Sequence, residues 1–116
     1  MMKVLPTREG RIDYSKDMIT IKKEVERAAI MTIETNLVPY PKKVKQIFLK
    51  AIEQKQILEF LLKLLITNDN GRIHFYRYIK TSIYAIGIGI NLNMNTEELI
   101  LLAKATLTFE KNKNAY

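Results

Sequence analysis

Residues 68–79 have the sequence NDNGRIHFYRYI, which combines a strong turn signal with a segment that fits two secondary structures. Asn, Asp and Gly tolerate positive φ angles, so residues 68–71 can end a helix or close a β-hairpin. The apolar positions that follow fit a helix, whereas the β-branched and aromatic residues between Ile73 and Tyr78 also fit a strand. We expect a helix here, and a hairpin over residues 64–79 is the alternative.

Apolar residues recur at helical spacing on both sides of this turn. One pattern begins at Ser15, a suitable N-cap, and ends near Asn36. A second pattern follows Pro41 and forms either one long helix or two shorter ones. Near the end of the chain, Asn95 with Glu98 three residues later makes a capping arrangement for a last helix.

One segment departs from this spacing. Between Ile86 and Asn95, apolar residues alternate strictly with Gly and Asn. A period of two is typical of extended chain, so this segment is predicted to be a short strand or an extended linker.

The length and composition indicate a single globular domain. The chain has 116 residues, of which 47% are hydrophobic and 27% are charged. We predict an all-α fold, a small bundle of four to five helices, over residues 15–110. Residues 1–14 are predicted to form an N-terminal arm and residues 111–116 a polar tail. The alternative is an α+β fold with a hairpin around Asn70-Gly71.

The sequence also favours a cytoplasmic location. It contains no cysteine, and the N-terminus lacks the apolar core of a signal peptide. The longest apolar stretch, residues 57–66, is interrupted by Glu59 and Lys63 and is too short to span a bilayer. We therefore expect no membrane span.

No set of residues supports catalysis. His74 is the only histidine and has no Cys or second His with which to hold a metal or activate a nucleophile. Glu97 and Glu98 lie where acids stabilise the start of a helix. Gly87 and Gly89 lack the third glycine and the βαβ context of a dinucleotide site. We expect no enzyme, no metal and no cofactor.

Two segments of the chain are basic, and the formal net charge is +7. The first segment contains four lysines and no acid: Lys42, Lys43, Lys45 and Lys50. The second combines cations with aromatic residues: Arg72, Tyr76, Arg77, Lys80 and Tyr84. On a helix, Arg77, Lys80 and Tyr84 would share one face opposite Phe75, Ile79 and Ile83. Ordinary solvated surface, with aromatics that belong to the core, remains the simpler interpretation of both segments.

Cations can neutralise phosphates, and exposed tyrosines can stack on bases. We therefore predict a small non-enzymatic binding protein, with nucleic acid as the first partner class and a regulatory or accessory role. The alternative is a stoichiometric inhibitor, immunity or adaptor protein that docks on another protein through Tyr76, Tyr84 and their neighbours. Self-association as a homodimer is a further open expectation.

Overall fold

The computed structural model describes residues 14–67 and 70–108, and this part of the chain contains helices but no strand. The helices are α1 (Tyr14–Thr35), α2 (Pro41–Ala51), α3 (Lys55–Thr67), α4 (Gly71–Asn91) and α5 (Thr96–Leu107). The predicted all-α bundle is confirmed. The hairpin alternative is wrong, because residues 64–67 belong to α3 and residues 71–79 belong to α4.

Some of the sequence predictions concern residues outside the two described ranges. The predicted arm lies outside except for Tyr14, which begins α1. The predicted polar tail, residues 111–116, also lies outside, as do Asn68 and Asp69 of the turn.

The second helical pattern forms two helices. α2 ends at Ala51, and α3 begins at Lys55. The amide of Ile52 donates to the carbonyl of Phe48, and the amide of Ile57 donates to that of Gln54. The three intervening residues thus change the direction of the chain without interrupting the core, since Ile52 is fully buried.

α4 is the central helix of the bundle, because it contacts α1, α2, α3 and α5. Its inner side carries Phe75, Ile79, Ile83 and Ile86, all fully buried. The hydroxyl of Ser82 donates to the carbonyl of Ala103, at 3.2 Å, and so ties α4 to α5. These apolar side chains are buried against the neighbouring helices. Removing their surface from water is the main contribution to the stability of the fold.

The start of α4 depends on a glycine. A Cβ atom at Gly71 would overlap the carbonyl oxygen of Leu64 in α3. The absence of a side chain lets the first turn of α4 lie directly against the backbone of α3. The turn signal in the sequence therefore ends one helix and begins the next.

The extended segment predicted between Ile86 and Asn95 is wrong, because α4 continues to Asn91. Gly89 is buried beside α5, and a Cβ there would lie 2.6 Å from Leu99 Cδ2 and 2.9 Å from Met94 Sδ. Ile88, between the two glycines, points outward and is 61% exposed. Gly87, which faces Pro39, and Gly89, which packs against α5, thus alternate with isoleucines inside a helix, and this pattern resembles the alternation of a strand.

Candidate functional surface

The cations and tyrosines of α4 divide between two directions. Arg72 and Tyr76 lie on the side that faces α1, where Tyr76 bonds to Glu24. Arg77, Lys80 and Tyr84 lie on the side that faces solvent, and all three are exposed. The sequence placed these five residues in one basic and aromatic segment; the structure separates them into two groups.

The first group forms a polar network between α1 and α4. The hydroxyl of Tyr76 donates to Glu24 Oε1 at 3.0 Å, and Arg72 Nη1 donates to the Tyr76 hydroxyl at 3.4 Å. On α1, Arg27 Nη2 donates to both carboxylate oxygens of Glu24 at 2.9 Å. The hydroxyl of Tyr76 and the carboxylate of Glu24 are therefore occupied within the protein.

This network lowers the pKa of Glu24 and raises the pKa values of Tyr76 and Arg27. Partial burial raises the pKa of the Glu24 carboxyl group, but the hydrogen bonds from Arg27 and Tyr76, with the charges of Arg27 and Arg72, lower it more. The net pKa of Glu24 lies below the ordinary value of 4.5. Burial raises the pKa of the Tyr76 hydroxyl, and the hydrogen bond to Glu24 raises it further. Both shifts favour the pair in which the carboxylate is charged and the phenol is neutral.

The second group belongs to what we call the α4 outer face, which consists of Ile73, Arg77, Lys80, Tyr84 and Ile88. The predicted spacing is confirmed: Arg77, Lys80 and Tyr84 are opposite the buried Phe75, Ile79 and Ile83. Lys80 Nζ lies 5.8 Å from the centre of the Tyr84 ring, within the range of a cation–π contact. α4 contains no acidic residue, so no carboxylate of this helix neutralises the face.

His74 contacts a cation of this face. Its Nδ1 atom lies 2.7 Å from Arg77 Nη2. A guanidinium group can only donate hydrogen bonds, so His74 Nδ1 is the acceptor in this contact. His74 therefore orients Arg77 on the surface.

The lysines of the first basic segment are all exposed on α2. Lys42, Lys43, Lys45 and Lys50 lie on the side away from the buried positions of this helix. The buried positions are Val44, Ile47, Phe48 and Ala51. α2 has no acidic residue either, and it contacts α4 directly. Two neighbouring helices thus present cations without carboxylates of their own.

The connector between α1 and α2 meets the carboxyl-terminal half of α4. The hydroxyl of Tyr40 donates to Asn91 Oδ1 at 3.1 Å. Pro39 lies opposite Gly87, where a Cβ atom would be 4.0 Å from Pro39 Cγ. These two contacts bring the start of α2, with Lys42 and Lys43, toward the end of α4.

A mainly apolar cavity of about 210 Å³, which we call the connector hollow, lies at this junction. It is lined by Val38, Pro39, Tyr84, Gly87, Ile88 and Asn91. Sequence reasoning did not find it, because the residues from the connector and from α4 are far apart in the chain. The only local signal was Gly87, a small residue in an otherwise Ile-rich segment.

A wider and more open groove of about 480 Å³ runs along α1. Among the residues that the structure describes, its lining comes from α1 and carries charges of both signs, as in Lys23, Glu26 and Glu34. A groove formed by one helix with mixed charges has no preference for a ligand of either sign.

Two other features are absent from the part of the chain that the structure describes. Residues 14–67 and 70–108 contain no group of three His, Cys, Asp or Glu side chains that could hold a metal ion. None of the helices in these two ranges is both long and apolar enough to cross a membrane.

Comparison with protein-family models, with curated proteins and with solved structures gives no match for this chain. The function must therefore be argued from the surface itself.

Proposed function

We propose that this chain is a non-enzymatic nucleic-acid-binding protein that contacts phosphates through α2 and the α4 outer face, as a cytoplasmic regulator or accessory factor would. One observation carries the proposal. Two helices in contact expose cations, and neither contains a carboxylate. The cations of this surface are Lys42, Lys43, Lys45, Lys50, Arg77 and Lys80.

Such a surface suits a polyanion. Each phosphate that a Lys or Arg neutralises releases condensed counterions, which makes binding favourable at low salt. The formal charge of +7 adds long-range attraction that speeds association. Arg72 and Tyr76 have a smaller part in this proposal, because they belong to the network with Glu24.

The test is a titration of fluorescent duplex DNA, single-stranded DNA and RNA with the purified protein. Measurements at about 50 and 200 mM salt give the salt dependence. With about four phosphate contacts, the slope of log affinity against log salt should be roughly −3 to −4. The double variant Arg77→Glu, Lys80→Glu should lose most of the affinity.

A matched control makes the same change in net charge at two positions outside the proposed surface. Lys22 on α1 and Lys55 at the start of α3 are exposed and lie outside the proposed surface. Lys22→Glu, Lys55→Glu should weaken binding only slightly. Equal losses in the two double variants would mean that net charge, and not this surface, drives binding. No binding at the lower salt would refute the proposal.

A second candidate function is docking on a protein, and exposed apolar residues favour it. Tyr84, Ile88 and Leu92 follow one another at intervals of four, and the last two are 61% and 69% exposed. Exposed apolar patches often mark protein interfaces. A second copy of the chain is the simplest such partner. Sedimentation of the wild type and of Ile88→Glu tests it: a dimer lost in the variant supports docking, and a monomer at all concentrations excludes the homodimer.

A further inference from the structure

We propose that the ligand of this surface is a single-stranded nucleic acid, and that one unstacked base enters the connector hollow and stacks on Tyr84. The inference rests on the proposed function and adds to it the class of nucleic acid and the position of a base. It makes Tyr84 and Gly87 determinants of the preference for single strands.

The connector hollow has mainly apolar walls. Tyr84, Pro39 and Ile88 supply apolar walls, and Gly87 lies among them without a side chain. A side chain at position 87 would project toward Pro39 and fill the space. Every base has an apolar face that can stack on an aromatic ring, and Tyr84 supplies such a ring in the wall of the hollow.

One polar side chain, that of Asn91, forms part of the rim of the hollow. Asn91 lines the hollow, and its Oδ1 atom already accepts a hydrogen bond from Tyr40. Its amide nitrogen can donate to a carbonyl or ring nitrogen at the edge of a base. The Tyr40 contact fixes the orientation of this amide, so the donor is positioned before a ligand arrives.

Lysine side chains of α4 and α2 supply positive charge near the hollow. Lys80 lies 5.8 Å from the ring of Tyr84. Lys42 and Lys43 follow Tyr40 by two and three residues, and the Tyr40 hydroxyl bonds to Asn91 at the rim. A strand bound at the hollow can therefore meet cations of α4 and of the start of α2, and neither helix contributes a carboxylate.

A duplex cannot use the hollow in this way. Its bases are stacked and paired, and a base must leave the stack before a side chain can cover its face. A duplex would therefore contact only the cations. Base–aromatic stacking makes a difference of about 5- to 150-fold in affinity for each base, so the preference should be easy to measure.

The experiment compares three probes of about 12 nucleotides: a labelled oligothymidine, the same strand with abasic residues, and a duplex of equal length. The abasic strand keeps the phosphates and lacks the bases. Wild-type protein should bind the oligothymidine about ten-fold more tightly than either of the other probes. Equal affinity for all three would overturn the inference.

Three variants locate the base. Tyr84→Leu removes the ring but keeps apolar volume, and Gly87→Leu fills the hollow. Both variants should lose the preference for bases, so that each binds the oligothymidine no more tightly than the abasic strand. Tyr84→Phe should keep the preference, because the ring remains. Circular dichroism checks that each variant folds. If Gly87→Leu does not fold, the two variants at the exposed position 84 still test the inference.

The outcomes separate this inference from the function on which it rests. If Arg77→Glu, Lys80→Glu abolishes binding but Tyr84→Leu leaves the base preference intact, phosphate binding stands and the base site is wrong. If no probe binds, both proposals fail and the apolar hollow is best explained by a protein partner. A preference that Tyr84→Leu and Tyr84→Phe remove equally would also contradict ring stacking.

Discussion

The hydroxyl group of Tyr76 donates a hydrogen bond of 3.0 Å to Oε1 of Glu24, a residue 52 positions earlier in the chain. This bond joins the solvent edges of α1 and α4, and Arg27 holds the same carboxylate from the other side. A tyrosine that looked like a free binding residue in the sequence thus connects two helices.

The first prediction concerns the stability that this bond supplies. Tyr76→Phe should lower the free energy of unfolding by about 1 kcal/mol, because a partly buried carboxylate loses a donor. Urea denaturation measures the change. Affinity for nucleic acid should stay within about two-fold of the wild type, because the Tyr76 hydroxyl is bonded to Glu24 inside the protein and is not one of the proposed phosphate contacts. The control is Tyr84→Phe, which should leave the stability unchanged.

The second prediction concerns pH. The pKa of Glu24 is below its ordinary value of 4.5 in the folded state, so the folded protein holds this proton less tightly than the unfolded chain. The resulting stability is complete above about pH 4.5 and is lost as the pH falls through the lower folded pKa. Glu24→Gln should therefore be less stable than the wild type at neutral pH, and the gap should narrow toward about pH 3. A constant gap in denaturation curves across this range would contradict the network.

The third prediction contrasts two glycines of α4. Gly89→Ala should destabilise the protein by about 1–3 kcal/mol, because the new Cβ would lie 2.6 Å from Leu99 Cδ2. Gly87→Ala should stabilise it by up to about 1 kcal/mol, because alanine favours the helix and its Cβ would have room beside Pro39. Thermal unfolding of both variants measures the difference. Equal effects would mean that the close contact between α4 and α5 is absent.

The fourth prediction concerns the start of α5. Asn95 Oδ1 accepts from the amide of Glu98, and Glu98 Oε1 accepts from the amide of Asn95, both at 2.9 Å. Asn95→Ala should cost about 1 kcal/mol of stability, because an amide at the helix start loses its acceptor. Asn95→Asp keeps the acceptor and should cost much less. Chemical denaturation of the two variants is the measurement.

The features that the sequence predicted correctly depend on neighbours in the chain. The capping pair Asn95 and Glu98 lies within one helical turn, and local spacing alone identified it. The register of α4 followed from the same kind of information, with Phe75 inside and Arg77 outside. Helical periodicity reports which side of a helix is buried, and the structure confirms that side.

The features that the sequence missed depend on contacts between distant residues. Glu24 and Tyr76 carry no signal that they are partners, and the same is true of Pro39 and Gly87 across the connector hollow. The glycines of α4 misled the prediction for a related reason. Gly89 makes room for Leu99 and Leu102 of α5, whereas Gly87 faces Pro39, so their spacing of two residues comes from two separate contacts of a helix.

The division of α4 into an inner and an outer side has a consequence for how this protein can diverge. The inner side contacts every other helix, so substitutions there must satisfy several neighbours at once. Exposed positions such as Arg77, Lys80 and Ile88 meet solvent, and changes at such positions usually alter stability by less than about 0.5 kcal/mol. A lineage can therefore change the chemistry of this exposed face, one residue at a time, while the bundle that carries the helix keeps folding.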